Sequence, residues 1–292
     1  MILKHLDKIY ENAQRIPIDD TTKIVVMSDC HRGAGNNFDN FLKNKNIYLG
    51  ALRHYYYRNF TYIELGDGDD MWEVKNYKDI IEEHLDVFKM IKMFHKNKRF
   101  KMIYGNHDMV KKYHKILKDN FYTYRDNNTN KEMELLTDLE VYESLILEYN
   151  ELEIFLLHGH QVDFFNNNFW RLSRFFVRNI WRPLEYVGIK DPTSSAKKYN
   201  VSKGVEKKLQ KWSNKNHKLL IAGHTHRPVM SNIGESLYFN DGSCIHPNGI
   251  TCIEIEDGKI SLVKWEYNIN RSKKINIKRT VLVQSVPLTL YY

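Results

Sequence analysis

The sequence predicts an α/β fold, on two observations. Five short apolar runs each stop in Asp, Asn or His, and helix-length stretches separate them. In order, Ile24 to Met27 runs into Ser28-Asp29, and Tyr62 to Leu65 into Gly66-Asp67. Phe100 to Tyr104 meets Gly105-Asn106-His107-Asp108. Glu153 to Leu157 meets His158-Gly159-His160, and Lys218 to Ala222 meets Gly223-His224-Thr225-His226. Helices are expected at about 37–57, 77–97, 109–119, 163–186 and 195–214. Such alternation gives an α/β core whose strand ends meet on one edge, where ligands bind because the loops carry free side chains over a rigid base. Residues 122–138, with Asp126-Asn127-Asn128, read as a surface hairpin or loop. Beyond His226 the chain turns strand-rich to about residue 285, with strands at 236–240, 249–256 and 259–267 and turn signals at Asp241-Gly242 and Asp257-Gly258. The Lys- and Arg-rich last 25 residues match no element pattern. With no repeat or low-complexity linker, residues 1–292 are expected to form a single domain.

Composition narrows the class. The 292 residues are 42% hydrophobic and 27% charged with only 6 Pro and 14 Gly, which excludes disordered, collagenous and coiled-coil chains. No apolar run approaches the roughly 18 residues of a membrane span. Charged side chains such as Lys4, Asp7, Lys8 and Glu11 interrupt the start, so no secretory leader is expected. Cys30, Cys244 and Cys252 lack CxxC spacing and suit a reducing compartment, so a cytoplasmic location is expected, with membrane-peripheral association left open. The net charge of +8 favours anionic partners: nucleotides, nucleic acid, acidic headgroups or phosphoesters.

The strand-end residues carry the chemistry. Asp29, His31, Asp67, Asn106, His158, His224 and His226 are imidazole, carboxylate and amide donors, a set suited to Mn, Fe, Co, Ni or Zn rather than to all-oxygen Ca or Mg sites. Pairs spaced two apart just past a strand can direct both side chains at one ion. Seven donors exceed the needs of one ion with an open position, so two ions sharing a carboxylate is the economical count. One strand-end His is usually a surface or packed residue; five such blocks in order are a different matter. There is no GxxxxGK[ST] loop, no HExxH, and no Cys followed six residues on by Arg. Cys30, between Asp29 and His31, reads as a packed thiol.

The five blocks, D-x-H at 29–31, G-D-x-x-D at 66–70, G-N-H-D at 105–108, H-G-H at 158–160 and G-H-x-H at 223–226, resemble the signature of the calcineurin-like metallophosphoesterase superfamily. The resemblance implies a four-layer α/β/β/α sandwich with a helical cap insertion and two divalent ions, Mn(II) foremost, with Fe, Zn, Ni and Co as alternatives. It implies one ion held by Asp29, His31 and His226, a second by Asn106, His158 and His224, and Asp67 as the bridge. His107 corresponds to the catalytic histidine and Asp70 to the group that orients it; His160 is a candidate substrate contact. The implied reaction is hydrolysis of a phosphomonoester, phosphodiester or pyrophosphate by metal-activated water.

Specificity falls to the insertion. Arg171, Arg174, Arg178 and Arg182 follow spacings of three, four and four, which places them on one helix stripe, while Phe169, Trp170, Phe176 and Trp181 cover much of the remaining circumference. The stripe is either a solvated face of a packed cap helix, a binder of phosphate or nucleic-acid backbone, or the headgroup side of a membrane-surface helix. His224-Thr225-His226-Arg227-Pro228 with this basic aromatic insertion is similar to UDP-2,3-diacylglucosamine hydrolases, which carry Arg where this chain has His107. The substrate expected is a phosphorylated small molecule or a nucleotide-like one, with nuclease activity and a non-catalytic scaffold as alternatives. Nothing in the sequence selects an oligomeric state.

Overall fold

The structure, a computed structural model, describes residues 2–163, 199–269 and 274–291. Helix α1 (Ile2–Glu11) precedes β1 (Gln14–Ile18) and β2 (Ile24–Met27). Then follow α2 (Lys45–Tyr57), β3 (Thr61–Leu65), α3 (Tyr77–Glu83), α4 (Leu85–Lys96), β4 (Phe100–Ile103) and α5 (His114–Phe121). A hairpin of β5 (Thr123–Arg125) and β6 (Glu132–Glu134) leads to β7 (Val141–Tyr142), β8 (Ser144–Tyr149) and β9 (Leu152–Leu157). Helix α6 (Tyr199–Asn216) is followed by β10 (Leu219–Ala222), β11 (Val229–Met230) and β12 (Tyr238–Asn240), then β13 (Ile250–Glu256), β14 (Lys259–Ile269) and β15 (Ile275–Pro287).

Two sheets form the middle of an α/β/β/α sandwich. One has seven strands in the order β15-β14-β13-β2-β3-β4-β7, the other six in the order β1-β8-β9-β10-β12-β11. Strands buried on both faces read as continuous apolar runs, and here alternate residues serve different layers. Ile24 and Val26 of β2 point between the sheets, where they join Ile63, Leu65, Ile154, Leu156, Leu219 and Ile221. Val25 and Met27 face outward against Ile47, Tyr48, Leu52, Phe88 and Ile91 of α2 and α4. On the far side, Phe155, Leu157 and Leu220 pack against Leu6 and Ile9 of α1 and Val205, Leu209 and Trp212 of α6.

Several expectations change here. The five ligand-bearing strand ends do not share one sheet edge: β2, β3 and β4 run parallel in the seven-stranded sheet, β9 and β10 parallel in the six-stranded one. The site lies where the carboxyl edges of the two sheets meet. The helix expected at 77–97 is broken at His84, which ends α3 and begins α4 because its fully buried ring bonds Asp39 Oδ2 through Nε2 at 2.8 Å. That contact crosses 45 residues, so local periodicity carries no trace of it. The stretches at 37–57 and 109–119 divide likewise, each into a 3₁₀ turn and a helix. Residues 122–138 do contain the hairpin. The basic C-terminal stretch forms β15, an edge strand paired antiparallel with β14. α1 and β1 carried no expectation; β1 tolerates Pro17 because it lies at a sheet edge. Residues 164–198, with Arg171, Arg174, Arg178, Arg182 and most of the expected cap helix, lie outside the described residues. No described helix is long and apolar enough to cross a membrane.

Candidate metal centre

Three of the five strand ends, those of β2, β3 and β10, hand their donors to the site through an unusual backbone. Asp29, His31, Asp67, His224 and His226 all have positive φ, between 47° and 65°. A left-handed residue reverses the chain locally, so donors two apart turn to the same side of the loop instead of alternating. For non-glycine residues this conformation costs roughly 1–3 kcal/mol each, and it persists only where surroundings over-determine it. Here the loops are laced together. The Asp29, His31 and Arg32 N–H groups donate to the carbonyls of Gly66, Asp67 and Gly68, and Asp70 N–H returns a bond to Arg32 O. Within the six-stranded sheet, Gly223 N–H at the end of β10 donates to His158 O at the end of β9.

The glycines of the blocks are set by close approach. A Cβ on Gly66, itself at φ +92°, would lie 2.5 Å from His158 Nδ1. A Cβ on Gly105 would lie 2.0 Å from Asp67 Oδ1. Each block's glycine thus makes room for the donor of another block.

Six of the seven expected donors are brought together by close contacts. His226 Nε2 is 3.0 Å from Asp29 Oδ1, and His31 Nε2 is 3.7 Å from both Asp29 Oδ1 and Asp67 Oδ2. His158 Nε2 lies 3.2 Å from Asp67 Oδ2 and 3.9 Å from Asp29 Oδ1. The ligand atoms of Asp29, His31 and His226 fall within 4.8 Å of one another, as do those of Asp67, His158 and His224, and those of His31, Asp67 and His107. Donors each about 2.0–2.2 Å from one ion stand roughly 3–4 Å apart, so these spacings suit a shared cation. Among the described residues, Asp29 Oδ1, His31 Nε2, Asn106 Oδ1 and His158 Nε2 are buried with no hydrogen-bond partner. Burying four polar atoms unpaired is expensive unless something positive and coordinating completes them.

The electrostatics agree. Burial alone would raise the carboxyls of Asp29 and Asp67, but the adjacent imidazoles, His226 and His158 for the first and His158 and His107 for the second, hold both well below the usual range. Burial likewise works against the charged form of His158, yet Asp67 and Asp29 lift its imidazole to about 9. In the metal-free chain, protons supply the positive charge that these carboxylates demand; a cation there displaces them. His158 Nδ1 is fixed on Leu65 O at 2.8 Å, which aims Nε2 at the cluster.

His107 is placed differently. Its backbone N–H donates to Asp67 Oδ1 at 2.8 Å and its Nδ1 sits 3.0 Å from Asp70 Oδ1, while its ring stacks on Trp72 at 4.2 Å between centroids. Burial pushes the Asp70 carboxyl up, but His107 holds it well below its ordinary value. With Nδ1 engaged, Nε2 is the group left to meet a ligand. His160 is fully buried, its ring 5.6 Å from that of His158 and 6.1 Å from that of Tyr104. Burial, then His158 and His224, holds its imidazole well below its ordinary pKa.

The site also draws on residues to which the sequence assigns no role. Asp241, expected only as a turn residue with Gly242, is fully buried and 2.7 Å from Ser28 Oγ. Asp163 Oδ2 lies 3.7 Å from His224 Nε2. Beneath the loops, Arg32, Glu64, Asp69, Asp108 and Lys111 form a buried ion network. Within it Asp108 accepts N–H groups from Gly68 and Gly105, tying the second block to the third.

No curated protein matches the chain. Among solved structures, vacuolar protein sorting 29 from Cryptosporidium parvum is 14% identical, with 90% of this chain and 98% of that one covered at a TM-score of 0.40. A predicted phosphoesterase from Streptococcus pneumoniae is 17% identical, covering 89% and 97% at 0.34. A putative 5'-nucleotidase from Staphylococcus aureus is 12% identical, covering 91% and 54% at 0.39. Residues 22–257 match the calcineurin-like phosphoesterase superfamily domain, and the chain belongs to that superfamily.

Proposed function

We propose that the protein is a hydrolase of phosphoester bonds that works with two divalent ions and water as the nucleophile. The observation that carries this reading is the set of four buried donor atoms, on Asp29, His31, Asn106 and His158, that have no hydrogen-bond partner among the described residues. Asp29, His31 and His226 would hold one ion, Asn106, His158 and His224 the other, and Asp67 both. When bound, the ions supply Lewis acidity, polarising phosphoryl oxygens and acidifying the attacking water. The chain's own residues do the rest. His107 Nε2 protonates the leaving oxygen as its bond to phosphorus breaks, and Asp70, at 3.0 Å from Nδ1, keeps the ring in the tautomer and orientation that allow it. The donor set favours Mn(II) or another first-row metal.

The test is hydrolysis by metal-stripped protein, with and without added Mn(II), of p-nitrophenyl phosphate, bis-p-nitrophenyl phosphate, a nucleotide-sugar pyrophosphate and single-stranded nucleic acid. Activity on at least one probe that appears only with metal is expected, and the preferred probe sorts monoesterase, diesterase, pyrophosphatase and nuclease. Hydrolysis unaffected by removing metal contradicts the reading; inactivity on all four with two ions bound favours a scaffold.

Binding is also expected to stabilise the fold, because the ions attach to the native cluster and not to the unfolded chain. At a free Mn(II) concentration 100 times Kd, each independent site adds about 2.7 kcal/mol. Urea unfolding with and without Mn(II) measures this. An unchanged midpoint at saturating metal counts against a preformed site.

A further inference from the structure

Behind the donor Asp29 stands a chain of hydrogen bonds that no block of the sequence announces. Asp29 Oδ2 accepts from Ser28 Oγ at 2.5 Å and from the His224 backbone N–H at 2.9 Å, which leaves Oδ1 free to face the cluster. Ser28 Oγ is in turn 2.7 Å from Asp241 Oδ1. Ser28, Asp29 and Asp241 are all fully buried.

A serine hydroxyl has one proton and cannot donate to two carboxylates. With Asp29 accepting from Ser28, the second contact is satisfied when Asp241 itself donates to Ser28 Oγ as a neutral carboxyl. Burial, then the neighbouring charge of Asp29, pushes the Asp241 carboxyl well above its ordinary range, in keeping with that order. The same segment grips Asp29 from its backbone side, since Ser243 Oγ and Cys244 N–H both donate to Asp29 O, at 3.2 and 3.3 Å. The space is tailored to it: a Cβ on Gly223 would lie 2.3 Å from Ser28 Oγ and 2.8 Å from Asp29 Oδ2.

We propose that Ser28 and Asp241 are positioning residues of the metal centre, a two-step hydrogen-bond relay that presents Asp29 to an ion through Oδ1 alone. The relay rests on the two-ion reading above. It fixes which carboxylate oxygen is free and keeps the left-handed Asp29 from turning its side chain back into the sheet.

The test is calorimetric titration of the metal-stripped chain with Mn(II), for the parent and for Ser28→Ala, Asp241→Ala and Asp241→Asn. Loss of an outer-shell partner typically costs roughly ten- to a hundredfold in metal affinity, the loss expected for Ser28→Ala and Asp241→Ala. Asp241→Asn, whose amide N–H donates to Ser28 Oγ as the acid does, is expected to stay within about threefold of the parent. Should Asp241→Ala fail to fold, Ser28→Ala and Asp241→Asn decide the matter, because the first removes only a hydroxyl and the second keeps the shape. The relay is overturned if the parent binds two ions and Ser28→Ala binds them equally tightly, or if Asp241→Asn loses tenfold or more. A parent that binds no Mn(II) defeats the two-ion reading and the relay together.

Discussion

Replacing His107 by Ala is expected to slow turnover of the preferred phosphoester by roughly a hundredfold or more, the range for losing a general acid or one electrostatic stabiliser. The metal content should not change, because the ring is held by Asp70 and Trp72 and the backbone N–H that reaches Asp67 Oδ1 survives the substitution. That separation distinguishes an acid from a ligand, a distinction worth making since the ring also lies near His31 and Asp67. Steady-state kinetics with metal analysis on the same preparation reads both. Unaltered turnover removes His107 from the reaction, and loss of an ion reassigns it as a ligand.

A second large effect is expected far from any substrate. Arg32 is fully buried, its guanidinium doubly bonded to Glu64 at 2.8 Å and bonded through Nε to Asp69 at 2.5 Å. Lys111 Nζ completes the network at 2.6 Å from Asp69 and 2.9 Å from Asp108. Burial works to raise the Asp69 carboxyl, yet Arg32 and Lys111 bring it down to about 2. Arg32→Met keeps much of the side-chain volume but leaves Glu64 without its cation, and breaking a buried pair in this way costs about 3–5 kcal/mol. For a chain of this length that corresponds to a fall of roughly 5–8 °C in Tm. A shift below about 1 kcal/mol in urea unfolding would mean that water or a neighbour relieves the network. Because Asp69 and Asp108 flank the bridge and acid loops, metal affinity is expected to weaken in the same variant.

How far the molecule could be read in advance depends on where each constraint lies along the chain. The strand ends were legible because β-branched runs such as Ile24–Met27 stop abruptly in donors, and the five blocks keep one order. Their assignment to two sheets was not, since a run like Leu219–Ala222 looks the same in either. His84 breaks a helix by bonding a residue far earlier in the chain, and a helical period cannot register such a partner. Asp241-Gly242 has the composition of an exposed turn; only the folded chain brings Asp241 beside Ser28, 213 residues away in sequence. β15 falls in the region expected to be strand-rich, but no strand could be delimited there because, as an edge strand, it exposes residues on both faces and lacks a clean alternation. The ion network was hidden for a related reason: Arg32, Glu64 and Lys111 have the composition of surface, and their burial is a property of the assembled loops.

The central claim, two ions sharing Asp67, is tested most directly by counting them. Metal per chain is measured on desalted protein after loading with Mn(II), for the parent and for Asp67→Ala. The account predicts two ions in the parent and at most one in the variant; a variant that still holds two contradicts the shared carboxylate and the centre built on it.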